Sequence, residues 1–289
     1  MKHFIEAFNK YIEEKVVDYK IMNSSQNTVY LIKTCNNNYI LKEFSHDAIK
    51  NEEDLKIRKE QIRISKIWNE NGIDCSIPLT DIFWHHDNYY VIYPFNDGKV
   101  LNNDELTIEH IKILAKTQAK IHKMNINSFL PSHYKKLEIK EEKLAYIINT
   151  INSYASLFKK NLCVCQNDYK TLNIIWRNNK PLLVDFDAVN NNYPAVSLLE
   201  SAYTFSYKNH ELDFTYYEEY LKAYIEEYKK VPANIEEAIY GCWNGKIQWL
   251  NYLIDKKDNN ANHMTDQILN YQKDVNIIKE IIKKVSIFE

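Results

Sequence analysis

From Cys165 to Asp187 the sequence reads C-Q-N-D-Y-K-T-L-N-I-I-W-R-N-N-K-P-L-L-V-D-F-D, which sets Asp168, Asn173 and Asp185 within one short stretch. Residues 173–176 and 181–184 read as the strands of a hairpin, with Arg177-Asn178-Asn179-Lys180 as its turn. The set is an acid in the loop ahead of the first strand, an Asn at that strand's start and an Asp closing the second. Such a set is suited to phosphoryl transfer. The loop carboxylate can orient a hydroxyl and accept its proton, while the amide and the later carboxylate can hold magnesium on a phosphate chain. D-x-x-x-x-N alone occurs by chance. The weight comes from D-F-D beginning twelve residues beyond the Asn, joined by a lysine on an upstream strand and an acid in the next helix.

The elements that must position these residues follow from periodicity. Phe4, Phe8, Tyr11 and Ile12 share one face of an amphipathic helix within residues 1–14. β-Branched and aromatic runs at 16–21, 28–34 and 39–44, separated by Asn-rich turns, predict three antiparallel strands, the third carrying Lys42. A helix over 47–71 ends at Asn71-Gly72. Within it Ile57, Glu60, Ile64 and Ile67 form one stripe, so Glu60 falls among apolar residues. An acid placed there calls for a cation, because burying it unpaired is costly. Lys42 is the expected partner, with Glu53 as the alternative acid, although Glu60 at a solvated helix edge is the plainer reading. Strands at 81–84 and 89–93 follow, and Pro94-Phe-Asn-Asp-Gly98 breaks the pattern. Beyond it helices are predicted at 106–124, 137–159, 196–206, 214–229, 235–255 and 264–285, with a loop at 256–262 and the hairpin inserted among them. The expected fold is α+β: a five-stranded antiparallel sheet with one long helix in residues 1–94, and a mainly helical part in 95–289, joined at a hinge over 94–98.

Composition excludes several classes. The 289 residues are 45% hydrophobic and 26% charged, an ordinary globular balance. The net charge of −2 favours no nucleic-acid partner. No run approaches the roughly 18 apolar residues of a membrane span, and the N-terminal residues lack the apolar core of a signal peptide. Five cysteines without C-x-x-C fit reduced thiols in a cytoplasmic protein. Only four glycines occur, at 72, 98, 241 and 245, so any phosphate-cradling loop is built without glycine.

Together these residues resemble the aminoglycoside phosphotransferase and choline kinase-like family of small-molecule kinases, over about residues 19–271. The likeness is carried by Gln166-Asn-Asp168-Tyr-Lys-Thr-Leu-Asn173, by Leu183-Val-Asp185-Phe-Asp187, by Asn192-Tyr-Pro194 with Ser197-Leu-Leu-Glu200, and by Gly241-Cys-Trp243-Asn-Gly245-Lys-Ile-Gln-Trp249. The resemblance implies a protein-kinase-like bilobal fold, ATP or GTP with Mg2+ as cofactors, and a small-molecule hydroxyl substrate, acted on by a monomer or homodimer. It implies Asp168 as catalytic base and Asn173 and Asp185 as magnesium ligands. Lys42 would meet the α/β-phosphates and be held by Glu60. Ser24 and Ser25 would lie in the nucleotide loop, and Tyr93, Pro94 and Asn96 at the adenine hinge, where proline's C=O suffices as acceptor. Asp187 would assist the metal, or bind substrate. The sequence departs from the family pattern in four places. Gln166 stands where relatives usually have His, Asn167 where they have Gly or Arg, and Ser197 where they often have an acid; the loop at 23–27 also lacks glycine.

Substrate contacts remain open between several residues. Trp243 and Trp249 offer aromatic faces to a quaternary ammonium group, and Glu200 offers a carboxylate to a polyamine. The aromatic, acidic helix around 216–224 reads either as an amphipathic helix or as a substrate wall. Cys163 and Cys165 read as core thiols, His85-His86 as a polar turn, and His122 as a packed core residue. A choline or other amino-alcohol or sugar kinase is the alternative activity, and a catalytically silent kinase-fold binding or structural protein the alternative of another class.

Overall fold

The computed structural model describes residues 2–22, 26–209 and 211–286. It has two compact units: Met1–Lys99 with Ile175–Arg177 and Leu182–Asp187, and Val100–Ile174 with Asn178–Pro181 and Ala188–Glu289. Ser24 and Ser25 lie outside the described residues.

The first unit begins with α1 (His3–Asn9), β1 (Val16–Met22), β2 (Thr28–Thr34) and β3 (Asn38–Phe44). α2 (Glu52–Glu70), β4 (Phe83–His85) and β5 (Asn88–Pro94) complete it. The strands form one antiparallel sheet in the order β1-β2-β3-β5-β4, as the alternation predicts. Period-2 alternation divides the residues of β3 between the two faces. Tyr39 and Leu41 pack with Phe4 and Phe8 of α1, whereas Phe44 packs with Ile62 of α2. Lys42, two residues before Phe44, therefore shares the α2 face. It sits in the middle strand, opposite Val29 of β2 and Val91 of β5.

α2 starts and stops on local signals. Asn51 caps it, its side chain accepting from the N–H groups of Glu53 and Asp54, and Glu52, Glu53 and Asp54 place negative charge at the positive helix end. At the other end Gly72 adopts φ +84. The Gly72 and Ile73 N–H groups donate to Asn69 and Trp68 carbonyls at 3.1 and 3.0 Å, a Schellman stop.

The chain continues through α3 (Ile108–Lys123), α4 (Ala145–Ser153), β6 (Cys163–Cys165), the hairpin strands β7 (Ile174–Arg177) and β8 (Lys180–Leu183), and β9 (Asn190–Asn192). Most of the hairpin clusters with the first unit, because Lys99 and Trp176 exchange backbone hydrogen bonds at 3.0 and 2.8 Å. α5 (Pro194–Ser206), α6 (Phe214–Tyr228), α7 (Ile235–Gly241), α8 (Asn244–Asp255) and α9 (Asn260–Ser286) follow. α3 packs on α6 through buried Leu114, Gln118, Tyr217 and Tyr220, and the Tyr220 hydroxyl donates to Gln118 at 2.9 Å. β6 pairs antiparallel with β9, closing the base of the loop that carries Asp168.

Three expectations from periodicity fail here. The helix expected at 137–159 is confined to α4, because the Asn152 side chain binds both the N–H and the C=O of Leu137 and pins that residue outside any helix. The helix expected at 235–255 is two, α7 and α8, broken at Cys242-Trp243 between Gly241 and Gly245. Asn244 there binds the backbone of Lys135, at 3.0 and 2.7 Å. The loop expected at 256–262 gives way to α9 from Asn260.

Candidate active site

Lys42 reaches from β3 to two acids that follow β8. Its ammonium lies 2.6 Å from Asp187 and 3.0 Å from Asp185. Burial by itself would lower the pKa of Lys42. The charges of Asp187 and Asp185 outweigh it and hold the ammonium well above its ordinary range. The sequence expectation paired Lys42 with Glu60. The structure pairs Lys42 with the two aspartates, and Glu60 with Arg63 at 2.6 Å, one helical turn away on α2. Residues three apart on a helix are surface neighbours, so Arg63 can reach that buried acid without any tertiary contact.

Asp185 adopts φ +58, a left-handed conformation that Asp tolerates better than most residues. Asp187 is fixed by residues no motif singled out. Asn27, buried just before β2, donates to its carboxylate at 2.7 Å, and accepts from the Ser45 N–H. Arg58 and Gln61 of α2 donate to the Asp187 carbonyl at 2.7 and 2.8 Å. Only Asn27 left a trace in the sequence, as the last residue of the loop assigned to nucleotide. Near the end of β5, Tyr93 is half-buried, and desolvation pushes its phenol up, with the charge of Lys42 opposing. The Pro94 carbonyl accepts from the Asn96 side chain at 3.1 Å, and Asn96 also donates to Ser76 at 2.8 Å.

In the second unit the loop after β6 carries the other set. The Asn173 amide donates to the carboxylate and to the carbonyl of Asp168, both at 2.8 Å. Lys170 lies 2.9 Å from the same carboxylate. Asp168 donates its N–H to the Gln166 side chain at 2.7 Å, so Gln166 braces the loop. Asn167 does the rest. Its φ is +56, where glycine is the easiest residue and Asn is tolerated. Its amide donates to the carbonyls of Cys165, Ala188 and Asn190, while its oxygen accepts from Asn192. The departure from Gly or Arg at this position supplies the staple that joins β6, the loop and β9.

Asp168 and Lys170 border a cavity of about 50 Å³ with Glu200, Lys246, Ser197 and Ser201. Glu200 has its pKa raised to about 7, chiefly by burial, with Lys246 opposing and the charge of Asp168 adding. The tryptophans lie elsewhere. Trp243 is only 3% exposed, packs edge-on to Tyr203 and has Lys246 5.4 Å from its ring. Trp249 stacks on Tyr252 at 4.9 Å.

Taken separately, the Asp185 carboxylate in the first unit and the Asn173 side-chain oxygen in the second are each hard oxygen donors, the type magnesium prefers. The Asn173 amide nitrogen is committed to Asp168, which leaves its oxygen for a cation. By donor chemistry each of the two residues suits magnesium.

No family model and no curated protein sequence matches the chain. Solved structures do. The choline kinase LicA from Streptococcus pneumoniae superposes with a TM-score of 0.72 at 15% identity, over 95% of this chain and 99% of that one. Spectinomycin phosphotransferase in complex with ADP and spectinomycin gives 0.65 at 11% identity, over 96% of each. ADP-bound aminoglycoside phosphotransferase APH(2'')-Ib gives 0.57 at 18%, over 99% of each. The chain thus has the kinase-like α+β fold, and its structural neighbours are proteins of the family its motifs resemble.

Proposed function

We propose that the protein is a nucleotide- and magnesium-dependent phosphotransferase that moves the γ-phosphate to a hydroxyl of a small cationic molecule, in the manner of its aminoglycoside phosphotransferase neighbours. The observation that carries the reading is Lys42 ion-paired to Asp185 and Asp187, 143 residues and more away in sequence, on a kinase-like fold. Lys42 supplies fixed positive charge to the phosphates. Asp185, assisted by Asp187, and Asn173 are the residues that would ligate magnesium, and the ion would supply positive charge against the phosphates. Glu60 buttresses α2 through Arg63 and no longer serves as the first partner of Lys42. Pro94 and the residues beside it offer backbone acceptors to the base, with Asn96 fixing the Pro94 carbonyl. Asp168, its backbone held by Gln166 and its carboxylate oriented by Asn173, accepts the proton of the attacking hydroxyl. Positioning and charge account for the rate, since this transfer needs little covalent help from the protein.

The cationic substrate is argued from Glu200, a carboxyl in the cavity that also holds Asp168. An amine placed there would draw it into the ionised form. A choline or other amino-alcohol kinase is the second reading, favoured by the superposition on choline kinase. Trp243 contributes to neither, because its ring is buried. A coupled assay of ADP or GDP release over choline, ethanolamine, sugars and aminoglycosides separates the two. Turnover with an aminoglycoside but not choline supports the first, and the reverse supports the second. A folded chain that fails to bind Mg-ATP or Mg-GTP in a thermal-shift measurement contradicts both and indicates a binding or structural protein.

A further inference from the structure

A second group of reactive side chains lies outside the phosphotransfer set. β6 presents Cys163 and Cys165 two positions apart, so both side chains leave the strand on the same face. Their sulfurs are 3.4 Å apart, and Cys165 Sγ lies 3.3 Å from Nε2 of His122 on α3. The other nitrogen of that ring, Nδ1, is 2.7 Å from the hydroxyl of Tyr224 on α6. Cys165, His122 and Tyr224 are buried, and Cys163 is partly exposed at the edge. Two sulfurs and one imidazole nitrogen thus converge, all within 4.8 Å of one another.

Three readings compete. Core packing explains the burial but not the convergence of three donor atoms. A disulfide is disfavoured by backbone geometry. Residues two apart on an extended strand have Cα atoms about 6.6 Å apart, near the upper limit for a disulfide. A metal site fits the distances. Tetrahedral bonds of about 2.3 Å to sulfur and 2.0–2.1 Å to nitrogen put two sulfurs roughly 3.8 Å apart and a sulfur and nitrogen roughly 3.6 Å apart. The observed separations of 3.4 and 3.3 Å need to open by only a few tenths of an ångström. Tyr224 fills the supporting role such sites require. By engaging Nδ1 it fixes the ring and leaves Nε2 as the ligand atom.

We propose that Cys163, Cys165 and His122 form a binding site for a soft, thiophilic cation, zinc foremost, which ties β6 to α3. Two thiolates and one imidazole select soft d10 ions over magnesium. The fourth position is left to water. Binding releases the remaining thiol protons to solvent, so affinity falls as pH falls. Cys165 immediately precedes Gln166 and Asn167, the residues that shape the Asp168 loop, so the ion braces the stem of that loop. The site stands independently of the proposed phosphotransfer.

Reduced full-length protein, stripped with a chelator, is titrated with zinc by calorimetry and with cobalt by absorption. One zinc per chain is expected, with thiolate-to-cobalt charge-transfer absorption. Cys163→Ser lowers zinc affinity at least about tenfold, and Tyr224→Phe lowers it on the order of 10–100-fold, with both variants folded by circular dichroism. A folded chain that takes up no zinc, or binds cobalt without that absorption, overturns the proposal. So does zinc uptake unchanged in Cys163→Ser but lost in His86→Ala, which would place the ion on the Glu6, His85 and His86 group of the first unit. Should Cys163→Ser not fold, zinc protection of the unaltered protein's thiols from alkylation decides, and absence of protection refutes the site.

Discussion

At the scale of single residues, the charges of the two units sit in unequal settings. Lys42 is buried and doubly paired, so Lys42→Met leaves Asp185 and Asp187 facing each other without their cation. Charge-assisted hydrogen bonds contribute roughly 1.5–3 kcal/mol each, so Mg-ATP affinity should fall at least about tenfold by calorimetry. Glu200 behaves differently. Burial holds its folded pKa at about 7, above the ordinary value of 4.5, so the folded chain holds the proton that the unfolded chain releases. That favours folding fully below about 4.5, and the advantage is lost as pH rises through about 7. Glu200→Gln keeps a neutral side chain at every pH. Its unfolding midpoint should match the wild type in acid and exceed it above neutrality; equal midpoints across that range would contradict the assignment. Sequence alone pointed to the reactive residues here but mispaired one. Glu60 was legible as a buried acid in need of a cation. The pattern did not show that Arg63, one turn along the same helix, would take it and leave Lys42 to the aspartates.

At the scale of elements, the strands were the most legible feature. Each has a β-branched or aromatic run bounded by Asn-rich turns, and the order β1-β2-β3-β5-β4 follows from antiparallel neighbours. α2 was legible because its ends carry signals, Asn51 at one and Gly72 at the other. Gly72 holds φ +84 with open space around it, so the cost of a side chain there is conformational alone. Gly72→Ala should destabilise by about 1–2 kcal/mol in urea denaturation with activity retained. The helices of the second unit were less legible because long-range side-chain bonds override periodicity. Asn152 holds Leu137 extended, and Asn244 binds the backbone of Lys135 where one apolar pattern becomes two helices. The Asp168 loop shows the same limit. The sequence marked Asn167 as a departure from glycine, but only the fold shows its side chain filling four hydrogen bonds at a left-handed position.

At the scale of the whole molecule, a sheet-bearing unit carries Lys42, Asp185 and Asp187, and a helical unit carries Asp168 and Asn173. The hairpin sequence announced this fold, because the interval from Asp168 through Asn173 to Asp185 is set by a loop and two short strands. Substrate identity was not legible: aromatic and acidic residues that suit a cation are also those that pack a helical core, as Trp243 does. The division of roles predicts separable losses. Acceptor-dependent release of ADP or GDP by wild-type protein and by Asp168→Asn, measured beside Mg-nucleotide binding, is the deciding test. With Asp168 as the proposed general base, its replacement should lower turnover by about 10²–10⁴-fold while the variant stays folded and binds Mg-nucleotide as the wild type does. Undiminished turnover in folded Asp168→Asn would contradict the account.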